Sequence, residues 1–341
     1  MKIGVIGASG YSGGELLRLL LKHSTFTLKY IAAGTQAGSL ITDVHPQLIP
    51  LTGYKFEATE LTRMNQCDLL FFALPHGESA KWIPQLNPEI KVVDLGADFR
   101  LASRDSWEKY YEGVHAGTWV YGLPEIPGQR EKISGAHRIA NPGCYATSIA
   151  LAAAPALSEG LIEADDIVVV AASGTTGAGR KVSSYLLASE VMGSLSSYKF
   201  GGIHQHTPEI EETLSAVAGT PAKISFTPIL APMPRGILAT VTARLIKPLD
   251  SNQVQELYRE FYASEEFVTV LPGNSLPHTS AVIGSNSVLI QVAVDAHANR
   301  LIISAALDNL GKGAASQALQ NANIISGLPE NTGLTSIGLG A

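Results

Sequence analysis

The chain has 341 residues, more than one typical domain needs and enough to bury two cores. Hydrophobic residues make up 45% and charged residues 16%. The net charge of −6 and a pI near 5.9 leave no basic excess for nucleic acid or an anionic membrane.

The two cysteines, Cys67 and Cys144, are too few for a disulfide framework and belong to no metal-ligand cluster. No run of 18 apolar residues occurs, and the opening MKIGVIGASG has none of the features of a secretory signal. The expected compartment is the reducing cytoplasm.

KIGVIG (2–7) is a short apolar run rich in β-branched residues that stops at glycines. GGELLRLLLKH (13–23) follows with leucines at helical spacing, and TLKYIAAG (27–34) reads as a second buried strand. Further strands are expected in CDLLFFALP (67–75) and IKVVDLG (90–96), the latter just before ADFR. Strands alternating with helices predict a doubly wound α/β domain of the Rossmann type over residues 1–143.

Between the first strand and helix, GASGYSG carries Gly7, Gly10 and Gly13. Glycine there lets backbone N–H groups approach a pyrophosphate seated on the positive end of the helix. Gly7, Ser9, Gly10, Tyr11, Ser12 and Gly13 are therefore the expected dinucleotide contacts. The bland alternative is an ordinary glycine-rich turn. An NAD enzyme places an acidic residue after strand two, whereas AAGTQAGS (32–39) has none. Its absence favours NADP(H), because a carboxylate would repel the 2′-phosphate. No arginine stands there, which leaves Thr35, Gln36 and Ser39 to supply hydrogen bonds.

NPGCYATS (141–148) sets Cys144 between a Pro-Gly turn and YATSIALAAAPAL, a strong helix former. A helix N-terminus lowers a thiol pKa, but a lone cysteine is also a common buried apolar residue. Beyond it come IVVVAASG, KISFTPILAPM, GILATVTARLI and SVLIQVAVDAHANRLIISAALDN. These dense strand patterns predict an α+β domain with a mixed or antiparallel sheet over residues 144–310. NLGKGAASQALQNANIISG reads as a helix ended by Gly327, and the segment 311–341 is expected to pack back on the first domain.

SGTTGAGRKV (173–182) nearly imitates a triphosphate loop. It puts Arg180 in the lysine position and has no Ser or Thr after Lys181, so it is read as a turn. In GGIHQHTPEIEE, Pro208 fits the first turn of a helix, with Glu209, Glu211 and Glu212 at its acidic start. His204 and His206 lie just ahead on a loop. Zinc would need a third ligand that is not visible, so no metal is expected. Acid–base use becomes attractive if Cys144 is a nucleophile.

GASGYSGGELLRLL, VVDLGADFRL, YGLPE, NPGCYATS, SGTTGAGR, HQHTPEIEE, PMPRGILAT and DNLGKGAASQALQNAN occur in order along nearly the whole chain. Together they resemble the N-acetyl-γ-glutamyl-phosphate reductases of arginine biosynthesis, in the superfamily of aspartate-β-semialdehyde dehydrogenase. The resemblance implies NADPH-dependent reductive dephosphorylation of an acyl phosphate through a thioester on Cys144. It implies His206 as acid–base residue, with His204 as rival and Glu209 as orienter of the histidine.

It also implies Arg100 and Asn141 at the phosphate and Arg235 at the substrate, with Asn309 and Lys312 near the nicotinamide. A homo-oligomer, dimer or tetramer, built through the second sheet is expected. The chain departs from the family at strand two, where GTQ replaces a Ser-Arg pair. The alternatives are the aminoadipyl-phosphate reductase of lysine biosynthesis, one methylene longer in substrate, and a non-catalytic dinucleotide sensor with no use for Cys144 and His206.

Overall fold

The structure is a computed structural model that describes residues 1–340. Its first sheet is built from β1 (Lys2–Ile6), β2 (Thr27–Ala32), β3 (Leu69–Phe72), β4 (Lys91–Asp94), β5 (Val120–Tyr121) and β6 (Arg138–Ala140). All neighbours are parallel, in the order β2-β1-β3-β4-β6-β5. Successive residues of a strand face opposite sides, and here both sides are covered. Ile3, Val5, Leu69, Phe71 and Val93 enter one core, whereas Ile6, Leu70, Phe72 and Val92 enter the other. Burial on both faces explains the unbroken apolar run LLFF.

The second sheet holds β7 (Ile162–Ser173), β8 (Ser196–Ser197), β9 (Ile224–Leu230), β10 (Ile237–Leu245), β11 (Val268–Val270), β12 (Val288–Asp295) and β13 (Arg300–Leu307). Its order is β11-β12-β13-β10-β7-β9-β8, mixed in direction as its dense strand patterns predict. Ile167, Val169, Ile237, Val241, Ile290 and Ile303 pack from this sheet into a core with the Cys144–Ser158 helix. The opposite face is uncovered in the single chain.

The Cys144–Ser158 helix carries Pro155 inside it, which leaves the Leu151 carbonyl without its usual donor. The Tyr262 hydroxyl donates to that carbonyl at 2.5 Å, and Tyr258 donates to Ala152 O at 2.8 Å.

After β13 comes a π-helical turn, Gly311–Ala315, and then a helix, Ser316–Ile325. Ala315, Ala318, Leu319 and Ala322 join the core of the first sheet. The helix ends at Ile325. Gly327 turns the chain at φ +68, and the tail beyond it lies along residues 281–287, with Leu339 N–H donating to Ile283 O and Asn286 N–H to Thr335 O.

Candidate active site

β6 ends at Ala140, and the turn Asn141–Gly143 leads straight into the helix that opens with Cys144. This is the carboxyl end of the parallel strands, where open α/β sheets hold ligands. Gly143 is the N-cap, and neither a capping side chain nor an acidic residue occupies the first turn. A Cβ on Gly143 would come within 2.5 Å of His206 Nε2 and 2.9 Å of an Arg100 terminal nitrogen. One on Gly313 would come within 2.8 Å of Cys144 Cβ. Glycine at these two positions lets the cysteine turn, the histidine and the segment after β13 converge.

The Cys144 thiol is half-buried and unpaired. Burial pushes its pKa up to about 11; the backbone N–H of Tyr145 and the Arg100 guanidinium pull the other way without prevailing. The lowered thiol pKa expected of a helix N-terminus is therefore corrected: desolvation outweighs the helix end here. Cys67, far along the chain, is likewise pushed to about 11 by burial.

His206 opens the helix His206–Ala218 rather than lying on the loop ahead of it. Burial, reinforced by the Arg100 charge, holds its ring well below the ordinary histidine pKa, so the imidazole is neutral. Its Nε2 faces Gly143, and its buried Nδ1 has no hydrogen-bond partner among the described residues. His204 is placed differently. Its Nδ1 accepts the His206 backbone N–H at 3.1 Å, and its ring packs edge-on against Tyr145, Tyr198 and Phe226. Burial lowers its pKa to about 2. His204 shapes the start of the helix that carries His206.

Glu209 does not orient His206, contrary to expectation, because its oxygens are engaged elsewhere. Oε1 accepts the Gly143 N–H at 2.7 Å and the Tyr121 hydroxyl at 2.8 Å, while Oε2 pairs with Arg100 at 3.2 Å. It anchors the cysteine turn. Arg100 is buried, donating also to Asn141 O at 2.8 Å and Leu95 O at 2.7 Å. Two of its five N–H groups remain for a ligand. The Asn141 side chain is engaged within the protein: its amide donates to Ala314 O at 3.1 Å and accepts from Asn321 at 3.0 Å. Glu212 accepts the backbone N–H groups of Ala102 and Ser103, tying this helix to the first domain.

The glycine loop lies between β1 and α1 (Tyr11–Leu20), whose N-cap Gly10 has no capping side chain. Gly7 has φ +84, and a Cβ there would strike Ala73 O at 2.3 Å, so only glycine fits. Space beside Gly10 is open, with its nearest neighbour at 3.5 Å from a Cβ position. Ser9, Tyr11 and Ser12 are half-buried around it and Gly13 is packed against Ala8. An uncapped helix start with free N–H groups and an open glycine face fits a pyrophosphate. Thr35 and Gln36 are exposed after β2, and Ser39 donates to Gln36 Oε1 at 3.3 Å.

Three residues expected at the substrate or cofactor have partners within the protein. Arg235 is clamped between Asp308 at 2.6 Å and Glu15 of α1 at 3.0 Å, so it joins the domains. Lys312 is fully buried in an ion pair with Glu125 at 2.5 Å and donates to Gln320 Oε1 at 2.7 Å. Asn309 bridges the Gly236 N–H at 2.8 Å and Thr176 Oγ1 at 3.0 Å, holding two loops together.

Sequence reasoning missed His76, Tyr111 and Tyr121. The His76 ring meets Tyr111 edge-on at 5.4 Å, and burial, with Arg100 nearby, lowers its pKa to about 4. The available signal was position: His76 follows β3 at the carboxyl edge of the parallel sheet. No group of three or more potential metal ligands occurs among the described residues.

Comparison with known proteins completes the picture. Residues 2–136 match the semialdehyde dehydrogenase NAD binding domain, and residues 144–309 match the semialdehyde dehydrogenase dimerisation domain. The chain is 54% identical over 338 residues to the N-acetyl-gamma-glutamyl-phosphate reductase of Acidothermus cellulolyticus, covering 99% of this chain and 98% of the relative. It is 54% identical over 339 residues to the same-named protein of Salinispora arenicola, covering 99% of each. Among solved structures, aspartate semialdehyde dehydrogenase II of Vibrio cholerae complexed with ASA superposes with a TM-score of 0.73 at 16% identity, over 95% of this chain and 98% of that one. The enzyme from Candida albicans with NADP gives 0.68 at 17%, over 95% and 99%. These last two speak for the fold.

Proposed function

The chain belongs to the N-acetyl-γ-glutamyl-phosphate reductase family, and from that premise we propose that it reduces N-acetyl-γ-glutamyl phosphate to N-acetylglutamate 5-semialdehyde with release of phosphate, using NADPH. The observation that carries this reading is the meeting of Cys144, neutral His206 and Arg100 around Gly143. A dinucleotide sensor would have no use for that cluster. The substrate length follows the names of the relatives, with the longer aminoadipyl chain as the alternative.

The steps follow from the residues. The Cys144 thiol is protonated at rest, so attack on the acyl carbon is coupled to transfer of its proton to His206. A C–S bond forms, the C–O bond to phosphate breaks, and the acyl group is held as a thioester on Cys144. The two remaining N–H groups of Arg100 bind the phosphate as its charge develops. When bound at the glycine loop, the nicotinamide cofactor supplies the hydride that reduces the acyl carbon. The backbone N–H groups at the start of the Cys144 helix and protonated His206 stabilise the resulting oxyanion on the thiohemiacetal. The C–S bond then breaks, the aldehyde leaves, and His206 returns its proton to sulfur.

NADP(H) is preferred because no carboxylate follows β2 to repel a 2′-phosphate. The free thiols of Cys67 and Cys144 support a cytoplasmic enzyme. The test is phosphate-dependent reduction of NADP⁺ by the purified protein with N-acetylglutamate semialdehyde. Turnover that requires phosphate and favours NADP⁺ over NAD⁺ is expected. No turnover with this aldehyde, or faster turnover with the homologue one methylene longer, would overturn the substrate assignment.

A further inference from the structure

Arg180 is the residue that the motifs left without a role, and its surroundings suggest one. It lies in the loop after β7, in the second domain, yet it crosses to the first. Both terminal nitrogens of its guanidinium donate to Val44 O at 3.0 Å, and its charge lies 5.0 Å from the centre of the Tyr11 ring. Tyr11 is the first residue of α1, within the glycine loop.

The position is built, not incidental to a free arm. Gly174 N–H donates to Gly236 O at 2.9 Å and Thr175 N–H to Met233 O at 2.9 Å. Thr176 Oγ1 donates to Pro234 O at 2.6 Å and accepts from Asn309 at 3.0 Å. The base of the loop is thereby fixed to the second domain four residues before Arg180.

Neither the glycine loop nor the turn after β2 contains a lysine or arginine. Arg18 is neutralised by Glu15 at 2.7 Å, and Arg235 by Glu15 and Asp308. Arg180 has no carboxylate partner among the described residues, and a carbonyl takes up only two of its five donors. An unpaired guanidinium beside a glycine loop is matched chemically by a phosphate, which it can hold bidentately.

We propose that Arg180 clamps a phosphate group of the bound dinucleotide from across the domain cleft, supplying the cation that the turn after β2 lacks. The proposal rests on the dinucleotide reading above. The phosphate is either the 2′-phosphate or the pyrophosphate, and two coenzymes separate them.

NADPH and NADH are titrated by nicotinamide fluorescence against wild type, Arg180→Ala and Arg180→Lys at several salt concentrations, with thermal melting as a check on folding. Arg180→Ala is expected to weaken NADPH about 10- to 100-fold, the scale of hydrogen bonds to a charged group, and to flatten the salt dependence. Arg180→Lys should keep the salt dependence and recover part of the affinity. Loss confined to NADPH identifies the 2′-phosphate, and equal loss with NADH identifies the pyrophosphate. Unchanged affinity in Arg180→Ala, or weakening with an unchanged salt slope, overturns the clamp while leaving the dinucleotide site intact. A wild type that binds neither coenzyme overturns the dinucleotide reading and the clamp together.

Discussion

At Cys144 two effects oppose each other: the helix start and Arg100 favour the thiolate, and desolvation favours the thiol. Desolvation prevails, so alkylation of the free enzyme by iodoacetamide should accelerate about tenfold per pH unit between pH 7 and 9, without a plateau near neutrality. A plateau near pH 7 would show a thiolate already formed. Glu209 offers a second test. Because it is buried against Arg100, Glu209→Gln leaves a guanidinium uncompensated and should cost roughly 3–5 kcal/mol in urea unfolding. A loss below about 1 kcal/mol, the scale of an exposed pair, would contradict that anchoring role. The convergence of the site was legible in its motifs, since NPGC and HQHTPE single out a thiol and an imidazole that the fold brings together at Gly143. The pairing was not. Glu209, Arg235 and Lys312 are satisfied by partners 66, 73 and 187 residues away, such as Gly143, Asp308 and Glu125, which spacing within a motif does not disclose.

The first parallel strands and α1 were legible because unbroken apolar runs and leucines at helical spacing report burial directly. Short β5 and β6 were not, being two and three residues long with no periodicity to read. The C-terminal helix was legible up to Gly327, but the tail beyond it is held by isolated backbone hydrogen bonds that leave no pattern in the sequence. Pro155 inside the Cys144 helix shows how a local defect is repaired by a distant element. Tyr262→Phe should remove the donor to Leu151 O and cost about 1–3 kcal/mol. In a Pro155→Ala background, the restored backbone N–H should reduce that cost to well under 1 kcal/mol. Equal costs in the two backgrounds, measured by a double-mutant cycle, would show that the hydroxyl does not replace the missing donor.

At the scale of the whole molecule, the two domains are joined by Arg235 between Glu15 and Asp308, and by Glu212 on the backbone of Ala102 and Ser103. The second sheet keeps Val168, Val170 and Leu238 on its uncovered face at 37%, 43% and 36% exposure. An exposed apolar face on a domain that matches a dimerisation domain is where self-association is expected. Val170→Glu should lower the mass measured by light scattering towards the 36.0 kDa of a single chain, and an unchanged mass would move the interface elsewhere. The central claim is the covalent step on Cys144. Intact protein and peptide mass spectrometry after mixing with N-acetyl-γ-glutamyl phosphate, with NADPH withheld, tests it most directly. One acyl group on Cys144, absent in Cys144→Ser and retained in Cys67→Ser, is the expected result. An acyl group on Cys67, or normal turnover by Cys144→Ser without any adduct, would contradict it.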